Sequence, residues 1–342
     1  MSGQRQLRQF ILSRRSFLLA SGATAAMLVQ APSVLRAQAR KKINLAIHWI
    51  PRGDFCAYYL ALERGYYAQA GMDVSIQHLL GNGAALQALS AGTAQFIHAD
   101  LTQMLQVQGK SPEPLMRSLA IATNKTGTTL FFKNGHGISK PKDLEGHSIV
   151  DSAGSTARAL FTLVAKANKI DESKVVWKTA AGNAKVALML QGEADAVATG
   201  LWARVGILTK LKADELGQFP FGDWGANIHG DGVISTQKLI SEDRALVKGF
   251  VQATLRGYKE GFADPDAAAD AIRKHHIELK KDSVVAEFKI TRDLAIGPPQ
   301  KAHGIGYHDP AAMKATYDFV VTGLNQPISR PVTDLYTNDF IG

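Results

Sequence analysis

Cysteine is almost missing from this sequence: Cys56 is the single one among 342 residues. One thiol cannot form an intrachain disulfide, so an oxidising compartment would give the fold no covalent staple. The same count excludes a cysteine-based zinc site. Stability must come from the core alone, which a chain of this length can supply. Runs of Lys and Arg are also absent, and with them the electrostatic footprint of a nucleic-acid binder. No nucleic-acid partner is expected. The catalytic and phosphate-binding motifs G-x-S-x-G, P-loop and H-E-x-x-H do not occur, nor does a Ca²⁺ loop. There is no tandem repeat, and no second long apolar run follows the first 39 residues.

Acidic residues are missing from that first stretch, which carries Arg5, Arg8, Arg14, Arg15 and Arg36. Much of the formal charge of +9 is therefore local, and the rest of the chain is nearly balanced. A basic segment, an uncharged Ala/Leu/Gly stretch from Phe17 to Leu35 and a closing Ala37-Gln38-Ala39 have the layout of an export signal. Ser13-Arg14-Arg15-Ser16-Phe17-Leu18 resembles the twin-arginine type, although the lysine often found next is Leu19 here. Residues 1–39 are thus expected to be a signal peptide cleaved after Ala39, delivering the protein to the periplasm. The competing reading is a retained anchor, but the segment is rich in Ala, Gly and Ser and short for a membrane span.

From Lys42 onward short apolar runs alternate with helical patterns. "INLAIHW" (43–49), "MDVSIQHL" and "AQFIHA" read as strands, each followed by a helix, and the last helix opens on Asp100 as N-cap. The pattern resumes with "TTLFFK", "SIVDS", "KVVWKT" and "ADAVATG" as strands, and "DGVISTQKLI" (231–240) reads as a return strand. Helices alone follow. Strands separated by helices predict βαβ units and mostly parallel sheets, an α/β fold.

Several phrases carry a resemblance. W-x-P followed by "YLALERGYYAQAGMDVSI", then "LSAGTAQFIHAD", "ISKPKDLEGHSIVDSAGSTARAL" and "LQGEADAVATG", and finally the stretch from "DGVISTQKLI" to "DAAADAI", stand in the order found in one family. The chain resembles the periplasmic solute-binding proteins of the nitrate/sulfonate/taurine and thiamine-pyrimidine ABC import family. The resemblance implies the two-lobe type II periplasmic-binding-protein fold, with a ligand cleft between the lobes. Lobe 1 would take residues 40–124 and 232–342, and lobe 2 residues 125–231. It also implies a small-molecule ligand, a membrane permease with its ATPase as partners, and a monomeric receptor.

Ligands of open parallel sheets sit beyond the carboxyl ends of strands, which selects the candidates. Trp49 offers a flat wall, with Arg52, Asp54 and Tyr58 beside it. Asn82 sits in a glycine-rich turn, and Asp100 at a helix start. Ser155, Thr156 and Arg158 open another helix in "DSAGSTARALF", where Gly154 eases the turn; similar turns hold the anionic head in the sulfonate and nitrate branches of the family. Trp202 and Trp224 could cover the far side. His229 is expected to pair with Asp231, Cys56 to be a buried small hydrophobe, and His275-His276 to be solvated. His48, His78 and His98 lie at or near strand ends without metal-ligand spacing, so no metal and no cofactor is expected.

Two further classes compete with a transport receptor. The family's fold is shared by pyrimidine-precursor synthases, but those resemble each other in a cysteine-rich iron-binding cluster that one cysteine cannot build. A sensor domain partnered with a membrane kinase would need the same cleft. The ring candidates with nearby carboxylates favour a planar nitrogenous solute of the thiamine-precursor pyrimidine type. The Gly-Ser-Thr turn with Arg158 favours a sulfonate, nitrate or aromatic carboxylate instead.

Overall fold

The computed structural model describes residues 40–342 except Gly154, Ala181 and Asn183. The expected export signal and the glycine of the Gly-Ser-Thr turn thus lie outside the described residues. Among those described, no helix is long and apolar enough to cross a membrane.

Two five-stranded sheets organise the chain. The first runs β2 (Met72–His78), β1 (Lys41–Ile47), β3 (Phe96–Asp100), β10 (Asp231–Thr236), β4 (Met116–Ile121). The second runs β7 (Val176–Thr179), β6 (Ser148–Asp151), β8 (Ala196–Gly200), β5 (Thr128–Lys133), β9 (Leu216–Pro220). Each is mixed rather than purely parallel. β1, β2 and β3 are parallel to one another, as are β6, β7 and β8, whereas β10 and β5 run antiparallel to both their neighbours. This is the two-sheet architecture of the periplasmic binding proteins.

Alternation along the central strands explains how each sheet is covered on both faces. Ile43, Leu45 and Ile47 of β1 enter one core with helices Cys56–Glu63, Arg244–Ala263, Pro265–Arg273 and Lys281–Ala295, while Ala46 enters another with Asn82–Ser90 and Leu101–Lys110. In β5, Leu130 and Phe132 face helix Ala157–Asn168, and Phe131 faces Ala184–Gln191.

Some elements depart from expectation. β4 and β9 were not read from the sequence; each is an edge strand that pairs antiparallel with its one neighbour in the sheet. The expected return strand stops at Thr236, whose side chain accepts from the Leu239 amide and starts helix Gln237–Glu242. The single helix expected after β1 breaks at Gly65, which sits at φ 70°, a left-handed conformation that favours glycine.

The chain passes between the sheets twice, after β4 and after β9, and the two crossings are bonded side by side. Thr126 N–H donates to the Ile228 carbonyl at 3.0 Å, Gly230 N–H to Thr123 at 3.1 Å, and Asp231 N–H to the Thr123 hydroxyl at 2.8 Å. Gly230 permits this approach, because a Cβ there would collide with the Thr123 hydroxyl and stand 3.0 Å from the Lys125 carbonyl oxygen.

Candidate ligand-binding cleft

The strand ends and the two crossings enclose a cleft of about 510 Å³, within the range of small-molecule sites. His48, Trp49 and Arg52 after β1, Gly81 and Asn82 after β2 and Asp100 with Gln103 after β3 form one wall. Ser152, Ser155 and Thr156 after β6, Lys185, and the segment from Thr199 to Trp202 after β8 form the other. Thr126, Thr128 and Asp231 line it from the crossings, and Glu287 from helix Lys281–Ala295.

The loop after β1 is held by charge and by close approach. Arg52 donates from Nε and Nη2 to the two carboxylate oxygens of Asp54, each at 2.7 Å. Gly53 N–H donates to Glu287 Oε2 at 2.7 Å, and a Cβ on Gly53 would strike the Val284 carbonyl of that same helix. Burial raises the Glu287 carboxyl above its ordinary range. Asn82 Oδ1 accepts from the Asp100 amide at 2.8 Å, tying two cleft turns together. Asp100 caps its helix by accepting from Gln103 N–H at 2.9 Å.

On the opposite wall the Ser155 hydroxyl accepts from Ala157 N–H at 3.1 Å, and Lys185 is paired with Asp151 at 3.1 Å. Trp202 is buried beneath the cleft and donates from Nε1 to the Thr291 hydroxyl at 2.9 Å. The Arg52 guanidinium lies 4.8 Å from the centre of its ring, a cation–π distance.

Seven of the eleven candidates therefore line the cleft: Trp49, Arg52, Asn82, Asp100, Ser155, Thr156 and Trp202. Four do not. Asp54 is buried and spent on Arg52. Tyr58 is buried, its hydroxyl 2.7 Å from His98 Nδ1, because a position one turn into the helix faces the core rather than back along the strand. Arg158 lies over Trp177 at 5.6 Å, on the outer side of its helix, and Trp224 packs edge-on against Phe219 in the second sheet's core. His229 does not pair with Asp231: its Nδ1–H donates to the Asn124 carbonyl at 2.8 Å, as part of the crossings.

Lys185, Glu287 and Asp231 were missed. Lys185 had a signal of the same kind as Arg158, a cation near the start of a helix that follows a strand. Asp231 is a charge at the first position of an otherwise buried strand. It faces Asp100 across the β3–β10 pair. Burial and the charge of Asp231 push the Asp100 carboxyl up. Asp231 itself is held low: burial works upward, but His48, His98 and Arg52 outweigh it.

Two of the three strand-end histidines come together with an acid that the sequence did not associate with them. His48, His98 and Asp231 each place one donor atom within 4.8 Å of the others. The strand register does this, because His98 of β3 stands opposite Ile47 of β1 and Val233 of β10. The two imidazoles stack with centroids 5.4 Å apart. Burial lowers the His48 pKa from its ordinary value.

Comparisons with known proteins agree with this architecture. The riboflavin-binding protein RibY of Chloroflexus aurantiacus is 22% identical over 93% of this chain and 91% of its own length. The formylaminopyrimidine-binding protein of Halalkalibacterium halodurans is 20% identical over 69% of this chain and 71% of its own. The periplasmic aliphatic sulphonate binding protein SsuA of Escherichia coli superposes with a TM-score of 0.65 at 13% identity, over 85% of this chain and 92% of that one. The sequence model of the family described as NMT1/THI5 like matches residues 52–268, more than half of the chain. On that match, the protein belongs to the NMT1/THI5-like family.

Proposed function

We propose that this protein is an exported solute-binding receptor of an ABC importer, and that its solute is a planar nitrogen heterocycle of the pyrimidine-containing kind. The observation that carries the solute class is the state of the charges in the cleft. Among the described residues lining it, both cations are already paired, Arg52 with Asp54 and Lys185 with Asp151. The carboxylates Asp100 and Asp231 line the cleft without a Lys or Arg ion pair. An anion would have to break a pair, whereas a ring bearing N–H groups finds acceptors waiting and Trp49, 38% exposed, as a flat partner. The relatives named for riboflavin and formylaminopyrimidine support the same class.

The mechanism is capture and closure rather than chemistry. Residues 40–124 with 232–342 and residues 125–231 act as two lobes that turn about the paired crossings, and contacts made only in the closed form drive the closure. A monomeric receptor so closed is presented to a permease with its ATPase.

A thermal-shift screen tests this. Riboflavin, formylaminopyrimidine and aminopyrimidines are compared with taurine, alkyl sulfonates, nitrate and aromatic carboxylates. Ligand at about 100 times its dissociation constant adds ~2.7 kcal/mol. A shift with the heterocycles supports the reading. A shift with the anions alone overturns it and transfers the binding role to Ser152, Ser155 and Thr156.

A further inference from the structure

We propose that His48, His98 and Asp231 bind one divalent transition-metal cation of the zinc class at the floor of the cleft. Three features of the cluster carry this. The first is an orphan: His98 is 2% exposed, its Nδ1 is engaged by the Tyr58 hydroxyl at 2.7 Å, and its Nε2 has no hydrogen-bond partner. A buried ring nitrogen without a partner is costly unless something outside the chain occupies it.

The second is spacing. Nε2 of His98 stands 3.5 Å from Asp231 Oδ2, long for a hydrogen bond. Two donors at ~2.1 Å from one tetrahedral cation stand about 3.4 Å apart. The gap therefore suits a cation between the two atoms better than a direct contact.

The third is the outer support that metal-bound imidazoles use. His48 Nδ1 lies 3.1 Å from the His98 carbonyl, so it carries the proton and Nε2 keeps its lone pair. The Tyr58 hydroxyl engages Nδ1 of His98, which leaves its Nε2 turned toward Asp231. Two imidazoles and one carboxylate form a ligand set of the open zinc type, with further positions for an exogenous donor. His48 and Asp231 both line the cavity, so those positions face the solute, and with the metal bound Asp100 is the carboxylate left to accept from its N–H groups. Arg52 is the neighbouring cation, and Asp54 neutralises it. The metal site itself does not rest on the receptor reading; only coordination of the solute does.

The test is calorimetric titration of chelator-stripped protein with zinc chloride, with metal content measured after desalting. One zinc per chain is expected. His98→Asn and Asp231→Asn should abolish stoichiometric binding, and Tyr58→Phe should weaken it ~10–100-fold. His275→Ala should leave it unchanged, since that ring sits at the surface against Glu63. Should a buried variant fail to fold, His48→Gln carries the same test. Failure of the wild type to retain zinc overturns the site, as does stoichiometric binding unchanged in folded His98→Asn or His48→Gln. Titrating the stripped protein with riboflavin and formylaminopyrimidine tests the receptor reading separately. Tighter binding of either by the zinc-loaded form supports coordination of the solute, and equal binding removes that part alone.

Discussion

Trp202 and Thr291 join the two halves of the cleft. The indole extends from the segment after β8, in the second sheet, and its N–H donates to a hydroxyl on helix Lys281–Ala295, which packs in the core of the first. The Thr291 hydroxyl passes its own hydrogen to the Glu287 carbonyl at 3.1 Å, so the indole meets an acceptor of fixed orientation. Gly127 makes room for the ring: a Cβ there would stand 2.7 Å from Trp202 Cζ3.

This contact spans the two sheets, so under the proposed closure mechanism it favours the closed form. Trp202→Phe keeps a ring and removes the donor, a loss of about 0.5–1.5 kcal/mol. Solute affinity should fall by ~2–10-fold, and small-angle scattering should show a larger radius of gyration. Affinity and radius both equal to wild type would mean the bond contributes nothing to closure.

The Arg52–Asp54 pair should behave as a buried unit. Asp54 is 2% exposed, so Arg52→Met strands a buried carboxylate and should cost about 3–5 kcal/mol. The double variant Arg52→Met with Asp54→Asn should recover a large part of that loss. Urea unfolding of the four proteins of the cycle gives the coupling. Additive losses would show that the charges are screened independently.

Gly257 lies where helix Arg244–Ala263 crosses helix Cys56–Glu63. A Cβ would collide with the Ala57 carbonyl and stand 3.0 Å from Ala61 Cβ. Backbone cannot swing aside as a flexible side chain can, so Gly257→Ala should destabilise by about 1–3 kcal/mol despite its better helix propensity. A raised melting temperature would show that the helices can separate without loss.

Acid should weaken the fold through buried neutral histidines. Burial lowers His308 from 6.5 to about 3, and His229 acts in the same direction. Its Nδ1–H donates to Asn338 at 2.9 Å and its Nε2 accepts from Ser118 at 2.7 Å, which holds the neutral ring. Below pH 6.5 the unfolded chain takes up a proton that the folded chain refuses, so stability should fall as pH drops from 6.5 toward 3. Urea midpoints at pH 7, 6, 5 and 4 read this out, and folded His308→Gln should show a shallower slope. Wild-type stability that is flat or rising over that range would contradict it.

The order of elements was legible because it is local. Apolar runs, helix periodicity and caps such as Asp100 act within a few residues, and they place nearly every strand and helix and the turns that line the cleft. β4 and β9 escaped the local reading, and each is held antiparallel by a strand distant in the chain. Position at a strand end likewise pointed to Trp49, Asn82 and Ser155, but not to whether a side chain faces the cavity. The helical phase that turns Tyr58 into the core and Arg158 outward is decided by packing on neighbouring elements. The grouping of His48, His98 and Asp231 depends on strand register across more than a hundred residues, a relation that no local pattern encodes. By itself the sequence determined the α/β order, the family and the cleft's component turns. Tertiary structure alone decided that Asp151 neutralises Lys185 while Asp100 and Asp231 remain for a ligand, because that depends on distances between residues far apart in the chain.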